Sequence, residues 1–232
     1  MQLYTPIEVN QLQQDLPYLI NIMQWVKSFL AKPHPDLGRS GPVCPFVPYA
    51  IKSNTIRFAV IHAKNMEPQQ LEEMVLCYRD TFFELEPRDK ESAINKTILL
   101  IFPELDTEET SKLVDGVQQK LKPSFVDLGL MLGEFHNQNE SPGLHNPNFR
   151  PLRSPTPILA IRFMVESDLP FLINADDLNS RIKFLEAYVQ RFENEARDQK
   201  NLNKARQALA LAREQIQQEK LLHLNCEYAA AK

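Results

Sequence analysis

Cysteine is scarce in this chain of 232 residues: Cys44, Cys77 and Cys226 are an odd number at wide spacing, with no CxxC pair. Neither a disulfide framework nor a structural zinc knuckle follows from them. No run of about 18 apolar residues occurs, and Met1-Gln2-Leu3-Tyr4 lacks the basic start and apolar core of a signal peptide. A cytoplasmic location without a membrane partner is the expectation. Positive charge is not in excess either, with 26 Lys+Arg against 30 Asp+Glu, a net charge of -4 and a pI near 5.8. No broad basic field exists to hold a phosphate backbone, which argues against nucleic acid as a partner. GxGxxG, GxxxxGK[ST], HExxH and GxSxG are all missing. Nucleotide-phosphate loops, metalloprotease helices and hydrolase elbows are left without support. What is present, 43% hydrophobic and 24% charged residues, suffices for the core of an ordinary globular protein.

Ten of the seventeen prolines fall in two stretches, 33–48 and 142–157. Proline fixes φ and removes a donor, so these stretches are stiff loops, neither helix interiors nor central strands. Regular patterns surround them. Apolar residues at intervals of three and four predict a helix over 7–31, kinked or split at Pro17, and another over 68–86 opened by Pro68. Strands are predicted at 55–63, 96–102, 125–132 and 157–165, with a helix capped by Thr107 over 107–121. The fold class is therefore α+β: a sheet of about four strands with packed helices, a long N-terminal helix and two C-terminal helices. Residues 1–175 form the core domain and 176–232 a helical extension. The last helix carries a narrow apolar line, Ala205, Leu209, Ala212 and Ile216, suited to docking on the chain itself or on a partner, a second copy included.

Side chains with chemical potential concentrate in the two loops. The first presents His34, Arg39 and Cys44, the last stiffened by Pro45 and flanked by Val43, Phe46 and Val47, which predicts a buried thiol. The second runs from Gly133 to Pro157, far longer than an ordinary connection, and long loops in compact domains are commonly functional. His136 and His145 there are each either a metal ligand or a shaper of loop carbonyls. Arg150 and Arg153 can grip a carboxylate or phosphate, or else satisfy loop carbonyls or pair with an acidic neighbour such as Glu134. His34, Cys44, His136 and His145 together would make an acceptable tetrahedral zinc set. The two loops are expected side by side, around one concave site.

The stretches His34 to Phe46 (HPDLGRSGPVCPF) and Gly133 to Arg162, with GEFH and GLHNPNFRPLRSP, resemble an uncharacterised bacterial family met in cyanobacteria and actinobacteria. More distantly, Gly143-Leu144-His145-Asn146-Pro147, Phe149-Arg150-Pro151-Leu152-Arg153 and Pro157-Ile158-Leu159-Ala160 are similar to the YqcI/YcgG-like family. That family includes haem-dependent enzymes that N-oxygenate amino or guanidino groups. Asn146 before Pro147, and Cys44 preceding its proline, depart from its pattern. The resemblance implies a haem cofactor with His145 as the metal ligand and Arg150 and Arg153 on the propionates or substrate. Cys44, His34 and Arg39 would contribute from the first loop, and His136 or Glu134 would deliver protons to bound oxygen. The substrate would be a small nitrogen-containing metabolite. The rival expectation is a non-enzymatic accessory or ligand-binding protein whose proline loops form a rigid recognition surface. A third is a mononuclear non-haem or zinc enzyme using the same histidines.

Overall fold

The computed structural model describes residues 6–175, 177–194 and 199–230. The chain divides into two compact units, one of residues 1–122 and 131–163, the other of 123–130 and 164–232. The first unit opens with helix α1 (Pro6–Trp25), which continues as a π-helical turn over Val26–Leu30. The helix is not split at Pro17. Pro17 lies on the exposed side of α1, so the carbonyl of Gln13 that loses its intrahelical donor reaches water instead.

The first proline loop follows and closes on itself. Pro33 bridges Pro42, the Val43 N–H donates to the Lys32 carbonyl (2.9 Å) and the Cys44 N–H to that of Leu30 (2.9 Å). Short helix α2 (Val47–Lys52) leads to strand β1 (Ile56–Val60). Helix α3 (Pro68–Glu84) begins at Pro68 with a reciprocal Glu67–Gln70 cap, and the turn α4 (Lys90–Ala93) precedes strand β2 (Thr97–Ile101). The next helix is capped by Asp106, one residue before the predicted Thr107. Asp106 Oδ1 accepts from the Glu109 N–H (2.9 Å), and Glu109 Oε2 accepts from that of Asp106. It runs as α5 (Thr107–Glu109), a π-helical turn over Thr110–Asp115, and α6 (Gly116–Asp127).

The helix passes Pro123 and buries Phe125 and Val126, residues assigned above to a strand. Strand β3 is Leu130–Phe135. An apolar run such as FVDLGLML fits a buried helix end as well as a strand, and periodicity alone does not separate them. Strand β4 (Ile158–Phe163) completes a four-stranded sheet in the order β1-β2-β4-β3. β1 and β2 are parallel, and β4 runs antiparallel to β2 with Ile101 opposite Ile158. The α+β class stands.

Successive strand residues point to opposite faces. Leu99, Ile101 and Ile158 pack with Ile22, Val26 and Leu30 on the α1 side. The other face meets α3, where the Phe82 ring lies edge-on to Phe163 at 5.0 Å. Lys96 is buried there, its ammonium 4.8 Å from the Phe82 ring centre and donating to the Leu85 carbonyl (2.7 Å); burial pushes its pKa down.

In the second unit α7 (Leu169–Ile173), α8 (Leu178–Phe192) and α9 (Gln199–Ala230) pack together. α9 buries Ala205, Leu209 and Ala212 of the line seen in the sequence, with Ile216 half-buried; it also buries Leu202 and leaves Leu211 exposed. Among the described residues no helix is long and apolar enough to cross a membrane.

Candidate functional site

The second loop connects β3 to β4 through residues 136–157, and asparagines organise it. Asparagine side chains readily bond backbone two residues on. Asn139 Oδ1 accepts from the Ser141 N–H (2.9 Å) and Asn146 Oδ1 from that of Asn148 (3.0 Å). The Gly143 N–H donates to the Phe149 carbonyl, and the Phe149 N–H to that of Asn146. These turns press the Phe149 ring inward, where it is buried.

The two loops lie against each other. The His34 ring stacks on Phe149 with centres 4.7 Å apart, and Asn146 Nδ2 donates to the Asp36 carbonyl at 2.8 Å. Gly38 sits so close to the His145 carbonyl that a Cβ there would be 2.7 Å from its oxygen.

Where the second loop meets the end of α1, a shallow cleft of about 480 Å³ opens. Trp25, Phe29 and Phe149 form its aromatic wall, Arg150 and Arg153 its charged side, and Asn137, Asn148, Ser154 and Pro155 the remainder. The wall is braced: Trp25 stacks on Phe29 (6.1 Å) and meets Phe135 edge-on (5.7 Å), while Phe29 and Phe149 centres are 6.2 Å apart. Phe29 belongs to the π-helical turn, a local widening common at functional positions.

Both arginines bind one carboxylate, that of Glu140 and not of Glu134. Arg150 Nε donates to Glu140 Oε2 at 2.9 Å, and Arg153 Nη2 donates to Oε1. The Glu140 side chain is 68% exposed, and the two guanidinia hold its carboxyl below the usual carboxylate range. Loop carbonyls orient the arginines further: Arg150 Nη1 donates to Pro147 and Phe149, and Arg153 Nε to Asn139 (3.2 Å).

The remaining candidates lie off this cleft. His145 is exposed, and its ring does not line the wall. Cys44 is half-buried, short of the predicted full burial, and packs against the Ile22–Val26 core. Arg39 donates to the Ser40 and Val43 carbonyls and shapes its own loop. His34 Nδ1 accepts from the Asp36 N–H, a turn-forming role beside its stacking on Phe149. Glu134 and His136 alternate with Phe135 and so point away from the aromatic wall. His136 Nε2 is 3.2 Å from Asp115 Oδ1, an ion-pair distance without hydrogen-bond alignment. Burial raises the pKa of Asp115, with His136 opposing, and burial likewise raises that of Glu134. Among the described residues no three His, Cys, Asp or Glu side chains gather as a metal-holding set, so the zinc arrangement of His34, Cys44, His136 and His145 does not assemble.

A second constellation escaped the sequence altogether. His62, just past β1, has Nε2 2.9 Å from Asp15 Oδ1 on α1 and Nδ1 3.3 Å from Glu104 Oε2 past β2. The Asp15 hydrogen bond above all, then Glu104, raises its pKa against the opposing effect of burial.

A family model described as a domain of unknown function, DUF6875, matches residues 19–203. The chain belongs to the DUF6875 family. The matched region of this DUF6875 chain takes in the whole cleft, from Trp25 to Pro155, and stops within α9. Neither a curated protein nor a solved structure matches it.

Proposed function

We propose that the cleft binds a small molecule with a flat apolar body and an anionic group. The body lies against Trp25, Phe29 and Phe149, and the anion meets Arg150 and Arg153. One observation carries this reading: an aromatic wall and two guanidinia already oriented by loop carbonyls converge on a single cleft. Its volume of about 480 Å³ falls in the range of small-molecule sites, and mostly apolar walls with a few placed polar groups are the usual design of one. Stiff proline loops reduce the ordering cost of binding. The proposal is of recognition by a rigid loop surface; His136 and Glu134 point to the other side of β3 and receive no role in it.

Haem is the second reading, favoured by the arginine pair, which suits two propionates, and by the resemblance to the YqcI/YcgG-like enzymes. Its iron would meet neither an imidazole nor a thiolate among the side chains lining the cleft. A haem-dependent oxygenation of a small nitrogen-containing metabolite therefore ranks behind simple binding.

Trp25 is the only tryptophan, so its emission reports on the cleft directly. Benzoate is expected to change that emission saturably, and neutral benzamide of the same shape to bind about tenfold or more weakly, the loss of one charge-assisted contact. Equal responses to the two, or none to either, would overturn the reading. A saturable Soret shift with haemin, lost in His145→Ala, would put haem first.

A further inference from the structure

Glu140 does not line the cleft, yet it holds both arginines that do. Each of its oxygens takes one guanidinium, Oε2 from Arg150 Nε and Oε1 from Arg153 Nη2. Arg150 Nη2 and Arg153 Nη1 keep no partner among the described residues, so each arginine retains donors for a ligand. The cleft lining carries no other charged side chain. With Glu140 in place the pair and its brace carry a net charge of plus one.

Resting on the reading of this cleft as an anion site, we infer that Glu140 is a specificity-determining residue that lowers the cleft's preference for a dianionic phosphate ester relative to a monoanionic carboxylate. The two guanidinia attract a dianion about twice as strongly as a monoanion. The Glu140 carboxylate, facing the ligand across the guanidinia, repels it in the same proportion and so cancels part of that advantage. Removing the Glu140 charge takes that repulsion away, and its effect scales with ligand charge, so the dianion gains more than the monoanion. Glu140 touches no ligand in this scheme; it acts through the arginines.

The test compares benzoate with phenyl phosphate, which is dianionic at pH 8 because its second pKa is about 6. Both are titrated against Trp25 emission in the wild-type chain, Glu140→Gln and Glu140→Asp. Glu140→Gln should shift the affinity ratio toward phenyl phosphate by about tenfold, the effect of one unit charge a few ångströms away in a water-accessible site. Glu140→Asp, which keeps the charge, should retain the wild-type preference. An unchanged ratio in Glu140→Gln, with both probes still bound, overturns the inference and leaves the cleft reading intact. An equal shift in both variants also overturns it, because reach and not charge would then set the preference. If neither probe perturbs Trp25 in wild type, the cleft reading fails and this inference with it. Since the Glu140 side chain is exposed, neither substitution disturbs packing.

Discussion

Replacing Gly38 by alanine tests the contact between the two proline loops, and Gly41 supplies its control. Both glycines adopt left-handed backbone, φ +75° at Gly38 and +88° at Gly41. An L side chain in that region costs about 1–2 kcal/mol, so both substitutions carry this penalty. They differ in what the new methyl meets. At Gly41 the nearest atom is Arg39 Nη1 at 3.6 Å, an ordinary contact with the end of a flexible side chain. At Gly38 it is the His145 backbone, with oxygen at 2.7 Å and carbonyl carbon at 2.9 Å. Backbone cannot swing aside, so the loops must part. Parting them forfeits the Asn146–Asp36 hydrogen bond, worth about 1 kcal/mol, and the His34–Phe149 stack, worth about 1 kcal/mol more. Gly38→Ala should therefore cost about 2 kcal/mol beyond Gly41→Ala. For a chain of this length each kcal/mol lowers Tm by about 2–4 °C, which puts the two variants about 4–8 °C apart in a thermal melt. Coincident melts would show that the loops do not hold each other, and the braced wall behind Phe149 would lose its explanation.

Two further predictions use pH. Burial raises the Glu134 pKa, so the ionised carboxylate destabilises the fold; Glu134→Gln should be more stable than wild type at pH 8, by a margin that shrinks as pH falls and vanishes below about 4.5, where the group is protonated in both states. Denaturation midpoints with a gap independent of pH would refute this. His62 is the opposite case, its charged form favoured by Asp15 and Glu104. Its contribution is complete below about pH 6.5 and is lost as pH rises through the raised folded value, so the deficit of His62→Gln should be larger at pH 5.5 than at pH 8.5; the reverse order would sink the argument.

Much of this framework can be read from the amino-acid order. Helical spacing locates α1 and α3, although Leu12, Leu16, Ile20 and Met23 of the α1 stripe stay exposed, and short apolar runs locate β1, β2 and β4, with β2 buried on both faces. Periodicity fails at 125–132, where Phe125 and Val126 serve a helix end while Leu130 and Leu132 serve a strand in one mostly apolar stretch. At the site, Arg150 and Arg153 stand out as two arginines three apart in a stiff loop, and both the loop carbonyls and the acidic neighbour expected of them are found. Their partner is misread as Glu134, since sequence distance says nothing about which face of β3 a carboxylate occupies. Phe29 falls at helical spacing within the 7–31 segment, where an apolar residue looks the same whether it meets a sheet or a cleft, and Trp25 carries no signal of its own. The His62 cluster unites residues from α1 and from beyond β1 and β2, and no local pattern can announce a contact spanning 47 positions.

The order of the strands has a consequence for synthesis. β2 lies between β1, already made when it emerges, and β4, which begins only at Ile158. Until then one whole edge of Thr97–Ile101 offers unpaired backbone on an apolar, uncharged pentamer, the type of segment that templates aggregation. The nascent chain must hold this edge through all of the second proline loop. By limiting the conformations open to residues 142–157, the prolines shorten the search that brings β4 home. A product ending inside that loop keeps the hazard and never gains the cure, so a premature stop near residue 150 should yield inclusion bodies, and an expression boundary has to lie beyond Phe163 to give a sheet with its central strand covered on both sides.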